Sequence, residues 1–359
     1  MNITKGWFHT EITKKSKSLA NEAVLKNQFT NGPSTRVLEK ELSSLFQVPT
    51  VLYTNSGTSA LSISLIASNI DKSTTVATSG IGWIATAQAA KLTGAEVLAF
   101  DVEEKLPKLD FKQLSEGKND FEAIIPVNYN GRQLDIEKLK NLFPGKPIIE
   151  DSCKSLFSKN FDNNSFSGTN GDFGCFSLGM ISMLPGIYGG LVISNNVEDY
   201  EKLSCLKWHG TSYKNNQEIY GKCSYNFKSS NIHASVALGM LEGYENRIKR
   251  IKEIYLMYEE GLDGLSNNKL LPVDINKGEL PLLIDIISID RNQTCEALNS
   301  VGIPTCNYHN SISEANYVKS WGNLNNSCRF GKTVFHPPCG PDQDLKTIEN
   351  TIAILKQLG

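Results

Sequence analysis

Thr50-Val-Leu-Tyr-Thr-Asn-Ser-Gly-Thr-Ser-Ala-Leu-Ser-Ile-Ser-Leu-Ile-Ala67 reads as a strand, a glycine-bearing turn and a helix, in that order. Residues 50–54 are a short apolar run, Asn55-Ser-Gly-Thr58 is the turn, and residues 60–67 have the composition of a buried helix. In this geometry the backbone N–H groups at the helix start point together at one spot, where an anion is favoured.

The same alternation recurs at 74–77 with 85–93, at 97–100, at 123–126 with 136–142, and at 147–150. Such repetition predicts an α/β fold built on a mainly parallel sheet with helices on both faces. Ligands of open sheets of this kind gather at the carboxyl ends of the strands, which would bring Asn55, Trp83, Asn128 and Asp151 together. Residues 34–46 place Val37, Leu38, Leu42 and Leu45 at helical spacing, and 190–194 reads as a further buried strand. A long helical pattern covers 230–261, and its second half is expected to bridge to a second unit. Beyond it, 280–287 is strand-like, 292–301 helix-like, and 342–358 a terminal helix. The expected division is a large α/β domain over 1–245 and a small α+β domain over 246–359.

A chain of 359 residues with 40% hydrophobic and 21% charged residues has ample core for a soluble globule. Its net charge of −2 gives no basic field, which argues against nucleic acid or an anionic membrane as partner. The eight cysteines are scattered without a Cys-x-x-Cys pair, a pattern of reduced thiols rather than of a disulfide frame or a zinc site. No metal is expected. Neither an apolar leader at the start nor a membrane-length apolar run is found, so a cytoplasmic location is expected.

A second stretch carries more chemistry: Gly171-Asp-Phe-Gly-Cys-Phe-Ser-Leu-Gly-Met-Ile-Ser-Met-Leu-Pro-Gly-Ile-Tyr-Gly-Gly190. It resembles the cofactor-anchoring loop of the DegT/DnrJ/EryC1/StrS aminotransferases, enzymes that use pyridoxal phosphate (PLP) to place an amino group on nucleotide-linked keto-sugars. There the loop runs Gly-Asp-x-Gly-x-Phe-Ser, then four residues, then the lysine that holds PLP as a Schiff base. Five residues on from Ser177 stands Ser182, and Gly189-Gly190 closes the loop in register. A hydroxyl cannot form an imine. Ile181, Pro185 and Tyr188 also depart from the family's pattern, as in a re-purposed loop.

The resemblance extends from about residue 32 to the last helix. It implies an aspartate-aminotransferase-like architecture (PLP fold type I). It also implies that Gly57 and Thr58 in Asn55-Ser-Gly-Thr58, with Ser177, hold the cofactor phosphate. Asp151 would sit on the pyridine nitrogen, where a carboxylate stabilises positive charge and strengthens the ring as an electron sink. Trp83 would stack on the ring, against the plainer alternative of a core tryptophan. Asn226 would reach the phosphate site of a neighbouring subunit, which makes the expected unit a homodimer with shared sites.

Three residues past Asp151, where the family has glutamine or histidine beside the cofactor's 3-hydroxyl, stands Lys154. The hydroxyl and the aldehyde carbon are ring neighbours, so Lys154 is a candidate for a displaced Schiff-base lysine. The alternative is an ion pair of Lys154 with phosphate or with Glu150. Of the loop histidines His209, His309 and His336, which the resemblance sets near the substrate entrance, His309 is the catalytic candidate. Together these features imply PLP or pyridoxamine phosphate (PMP) held without the usual covalent bond, and a keto-deoxy-sugar nucleotide as substrate in surface polysaccharide or glycan biosynthesis. Two alternatives stay open: a lysine-independent, PMP-using sugar dehydratase-like enzyme, or a silent binding subunit of an active paralogue.

Overall fold

The computed structural model of the protein describes residues 6–160, 162–214 and 217–359. The main sheet takes seven strands from the first part of the chain: β1 (Thr50–Thr54), β2 (Thr75–Ser79), β3 (Glu96–Phe100), β4 (Ala123–Ile125), β5 (Ile149–Asp151), β6 (Phe173–Ser177) and β7 (Gly190–Ser194). Later, β8 (Asn268–Leu270) and β9 (Ile286–Ser288) pair antiparallel, β10 (Lys319–Ser320) runs parallel along β3, and β11 (Val334–Phe335) completes a small sheet on β9.

The main sheet runs β1-β7-β6-β5 and continues as β4-β2-β3-β10. Parallel bridges Ile124–Ile148 and Val127–Asp151 join the halves, and the Asp151 N–H donates to the Pro126 carbonyl at 2.9 Å. Only β7 runs antiparallel to both its neighbours; the other pairings are parallel. The parallel majority agrees with the alternation in the sequence, and the carboxyl ends of β1, β2, β4, β5 and β6 share one edge.

Helices α1 (Lys14–Leu25), α2 (Pro33–Phe46), α3 (Gly57–Ala67) and α4 (Ala85–Leu92) belong to the first part. The second part adds α5 (Asn231–Leu241), α6 (Tyr244–Leu262) and α7 (Leu345–Gln357). Every residue of α3 except Thr58 is buried, because the helix packs on β6 and β7 while α4 covers it. That explains its lack of a polar face. On α2, Leu38, Leu42 and Phe46 are buried, whereas Val37 is exposed and falls outside the apolar face.

Two expectations need correction. The long helical pattern is two helices, broken at Glu242-Gly243, where Gly243 adopts φ +79°, a conformation that glycine tolerates without a Cβ penalty. After the break, α6 packs against α7 and β8. The apolar run 280–287 is strand only from Ile286. The peptide of Leu283 is satisfied on both sides by the Asn130 side chain (N–H to Oδ1 2.7 Å, Nδ2 to carbonyl 2.8 Å), so it does not enter a ladder.

Candidate functional site

The strand ends converge on a cavity of about 150 Å³. Its wall includes Gly57, Thr58, Trp83, Asp151, Lys154 and Ser177, joined by Tyr129, Tyr308 and His309. Most of the residues singled out in the sequence are therefore brought together. Ser182 and Asn226 lie outside this lining. Asn55 is exposed and also outside it, with Nδ2 turned to the Asn226 carbonyl at 3.5 Å.

The cradle at one end is made by the start of α3. Ser56 caps the helix, its Oγ accepting the Ser59 N–H at 3.1 Å. Gly57 and Thr58 are the first two helical residues, whose N–H groups have no intrahelical acceptor. Packing around them is tight. A Cβ on Gly57 would lie 2.8 Å from Cys153 Sγ and 3.0 Å from Ser177 Cβ; one on Gly190 would lie 2.1 Å from the Ser56 carbonyl oxygen. Glycine at both positions lets β7 and the α3 turn close on each other. Ser177, at the end of β6, presents its hydroxyl to the same corner and accepts the Gly179 N–H at 3.3 Å.

At the other end, Asp151 is 5% exposed. One carboxylate oxygen accepts the Thr86 hydroxyl at 2.5 Å, the other the Cys153 N–H at 3.1 Å. Each oxygen keeps a lone pair for a further donor. Beside it, Glu150 anchors the loop that leads into β6. Its carboxylate accepts the N–H groups of Gly168, Asn170 and Gly171 and the Asn128 amide, all between 2.6 and 3.0 Å. Burial raises the Glu150 pKa, and these four donors oppose the rise.

Glu150 is thus fully engaged, and Lys154 turns elsewhere. Lys154 Nζ donates to the Ile181 carbonyl at 2.9 Å and sits 4.8 Å from the centre of the Tyr308 ring, a cation–π contact. Burial pushes its pKa down to about 8, while Cys153, Asp151 and Cys339 pull the other way.

Trp83 is 48% exposed and stacks on Tyr308, with ring centres 4.9 Å apart and planes 17° from parallel. It is a wall of the cavity, not a core tryptophan. A third ring enters this stack only when the two separate to about 7 Å, two contacts of about 3.5 Å each. His309 is buried, with Nδ1 3.0 Å from the Tyr129 hydroxyl. Burial, then His336 and Lys154, hold its pKa well below the usual histidine range, so the ring is neutral.

Ser182 is also buried, but its hydroxyl is used inside its own loop, donating to the Ser177 carbonyl at 2.9 Å and accepting the Leu184 N–H at 3.2 Å. Asn226 is exposed, and its Oδ1 accepts the Lys228 N–H at 3.2 Å. The other histidines diverge. His336 is buried, with Nδ1 donating to the Ile284 carbonyl at 3.0 Å and 3.2 Å from Asp285; His209 is exposed at φ +64° in a turn. Sequence reading did not find Thr86, Tyr129 or Tyr308. Tyr308 had a signal in being the neighbour of His309; Thr86 had none, since its role depends on the start of α4 reaching Asp151, 65 residues on in the chain.

The donor set fits a flat pyridine phosphate: free helix-start amides and a serine at one end, a buried carboxylate at the other, an indole face between. Residues 10–356 match the DegT/DnrJ/EryC1/StrS aminotransferase family. The chain is 24% identical over 356 residues to the UDP-4-amino-4,6-dideoxy-N-acetyl-beta-L-altrosamine transaminase of Campylobacter jejuni, covering 95% of this chain and 93% of that one. Among solved structures, a DegT DnrJ EryC1 StrS aminotransferase from Brucella abortus superposes with a TM-score of 0.89 at 21% identity, covering 98% of this chain and 99% of that one. The GDP-4-keto-6-deoxy-D-mannose-3-dehydratase of E. coli with bound hydrated PLP superposes with a TM-score of 0.88 at 17% identity, covering 98% of this chain and 99% of that one. At these identities the two structures speak to the fold, which is PLP fold type I.

Proposed function

The chain belongs to the DegT/DnrJ/EryC1/StrS aminotransferase family, and on that premise we propose that it binds PLP or PMP and acts on a nucleotide-linked keto-deoxy-sugar in surface polysaccharide or glycan biosynthesis. One observation carries the proposal: a phosphate cradle, a buried carboxylate and an aromatic wall open on one cavity. When bound, the coenzyme supplies an aldehyde or amine next to an electron-withdrawing ring. Gly57, Thr58 and Ser177 hold its phosphate at the start of α3. Asp151, oriented by Thr86, keeps a proton on the ring nitrogen. Trp83 covers a ring face and keeps water out. His309, neutral and aligned by Tyr129, is the proton carrier of the wall. Ser182 contributes no covalent bond, so these contacts, not residue 182, retain the coenzyme. Asn226 completes the phosphate site of a partner subunit in a cytoplasmic homodimer.

Calorimetry with PLP and PMP tests this. The protein is expected to bind both, and Asp151→Asn and Ser177→Ala each to weaken binding about tenfold or more, a loss of about 1.4 kcal/mol. Absence of binding for both forms would end the proposal.

A second reading is favoured by the placement of Ser182, whose hydroxyl is committed within its loop: PMP-dependent dehydration of the sugar without a lysine at that position. Product analysis separates the two, an amino-sugar from the first and a deoxygenated keto-sugar from the second. A protein that retains PMP yet converts no nucleotide-sugar would instead be the binding subunit of a paralogue.

A further inference from the structure

We infer that Lys154 supplies the primary amine that position 182 lacks, and that its Nζ condenses with the aldehyde of PLP held in this cavity. The inference rests on the coenzyme reading above. In the step, a C=N bond forms between Nζ and the aldehyde carbon, and the carbonyl oxygen leaves as water with the two protons of the neutral amine. No oxidant or reductant is needed.

Five features support it. Lys154 is the one lysine among the lining residues. Its Nζ bonds to the carbonyl of Ile181, so the amine already reaches the backbone of the loop that carries Ser182, from a side chain rooted three residues past Asp151. The carboxylate that could have claimed it, Glu150, is engaged by three backbone amides and Asn128. With the amine pushed down to about 8 by burial, a sizeable fraction is neutral and nucleophilic in mildly alkaline buffer. The neighbouring Cys153 thiol does not compete, because burial and the Asp151 carboxylate raise its pKa well above the ordinary value.

The experiment is borohydride reduction of the full-length protein with PLP, followed by peptide mass spectrometry, alongside absorbance and PMP calorimetry. The expected result is a phosphopyridoxyl group on Lys154 at least about tenfold above any other lysine. An imine band should be present in the wild type and absent in Lys154→Gln, while PMP, which has no aldehyde, still binds that variant. Labelling should rise with pH through about 8. In the double variant Lys154→Gln, Ser182→Lys, the label should move to the new amine. PMP binding without an adduct at Lys154, or an adduct and band that persist in Lys154→Gln, would overturn the inference and leave the coenzyme reading intact. Failure to bind either PLP or PMP would overturn both.

Discussion

Burying the Lys154 amine has a cost that depends on pH. Its folded pKa lies near 8, below the ordinary 10.5. The unfolded chain therefore binds more protons between those values, and stability rises with pH across that window. Below pH 8 the amine carries its charge at this half-buried position, a penalty of at most about 3 kcal/mol at about 1.4 kcal/mol per unit. Methionine matches the length without the charge. Lys154→Met is expected to be more stable than wild type at pH 7 by about 2 kcal/mol, once loss of the hydrogen bond to Ile181 is set against the gain. The advantage should shrink from pH 8 upward and vanish above pH 10.5. Denaturant melts at pH 7 and pH 10 check it; a variant less stable than wild type at both would show that the ammonium is well solvated.

Between elements, the site depends on how closely β7 approaches the start of α3. A methyl group at position 190 would meet the Ser56 carbonyl oxygen at 2.1 Å and the Gly57 nitrogen at 2.7 Å, both rigid backbone atoms. Gly190→Ala is expected to push β7 from the turn, lowering stability by about 1–3 kcal/mol. PMP affinity should fall about tenfold, while Asp151 and Trp83 stay in place. Calorimetry with PMP reads the affinity, and unchanged binding would show that the cradle tolerates the shift. Much of this arrangement was legible in the sequence, because strand-turn-helix units have short-range signatures: apolar runs, a glycine turn, 3.6-residue spacing. Trp83, Asn128 and Asp151 could be placed at one sheet edge on that basis, whereas Gly57, Thr58 and Ser177 were reached through the family resemblance of their motifs. Other features could not. The irregular path of 280–285 depends on Asn130, about 150 residues away in the chain, offering its amide to Leu283. The Trp83–Tyr308 stack likewise joins distant loops. Contacts of that range leave no local pattern.

At the scale of the molecule, Arg132 and Asp285 link the loop after β4 to the segment before β9. They are 2.5 Å apart with both side chains fully buried. Arg132 also donates to the carbonyls of Pro272 and Leu271, at 3.0 and 3.1 Å. Burial pushes the Asp285 carboxyl upward, but Arg132, His336 and Asn130 outweigh it and hold the group well below the usual range. A depressed carboxylate contributes stability above its unfolded pKa of about 4 and loses it as pH falls through the folded value. Arg132→Met removes the main partner, and is expected to cost about 3–5 kcal/mol at pH 7 and to move acid unfolding to higher pH. Thermal melts from pH 3 to 7 check both; an unshifted acid transition would contradict the role given to the pair.

Asn226 is exposed, as are its neighbour Tyr225 and the aromatic residues Tyr213 and Tyr220 of a nearby antiparallel strand pair, a surface suited to a partner. In a two-fold dimer the same patch serves both subunits. If each cavity takes Asp151 from its own chain and Asn226 from the other, the two losses fall on different sites. Asn226→Ala and Asp151→Asn alone should each bind PMP weakly. Unfolded and refolded together in equal amounts, half the dimers are mixed. In each of those, one cavity has its own Asp151 and the partner's Asn226, while the other lacks both. About a quarter of all cavities should then bind PMP as in the wild type. Calorimetric stoichiometry reads that fraction directly. Were both residues drawn from the same chain, every cavity in the mixture would lack one of them, and tight binding would not return.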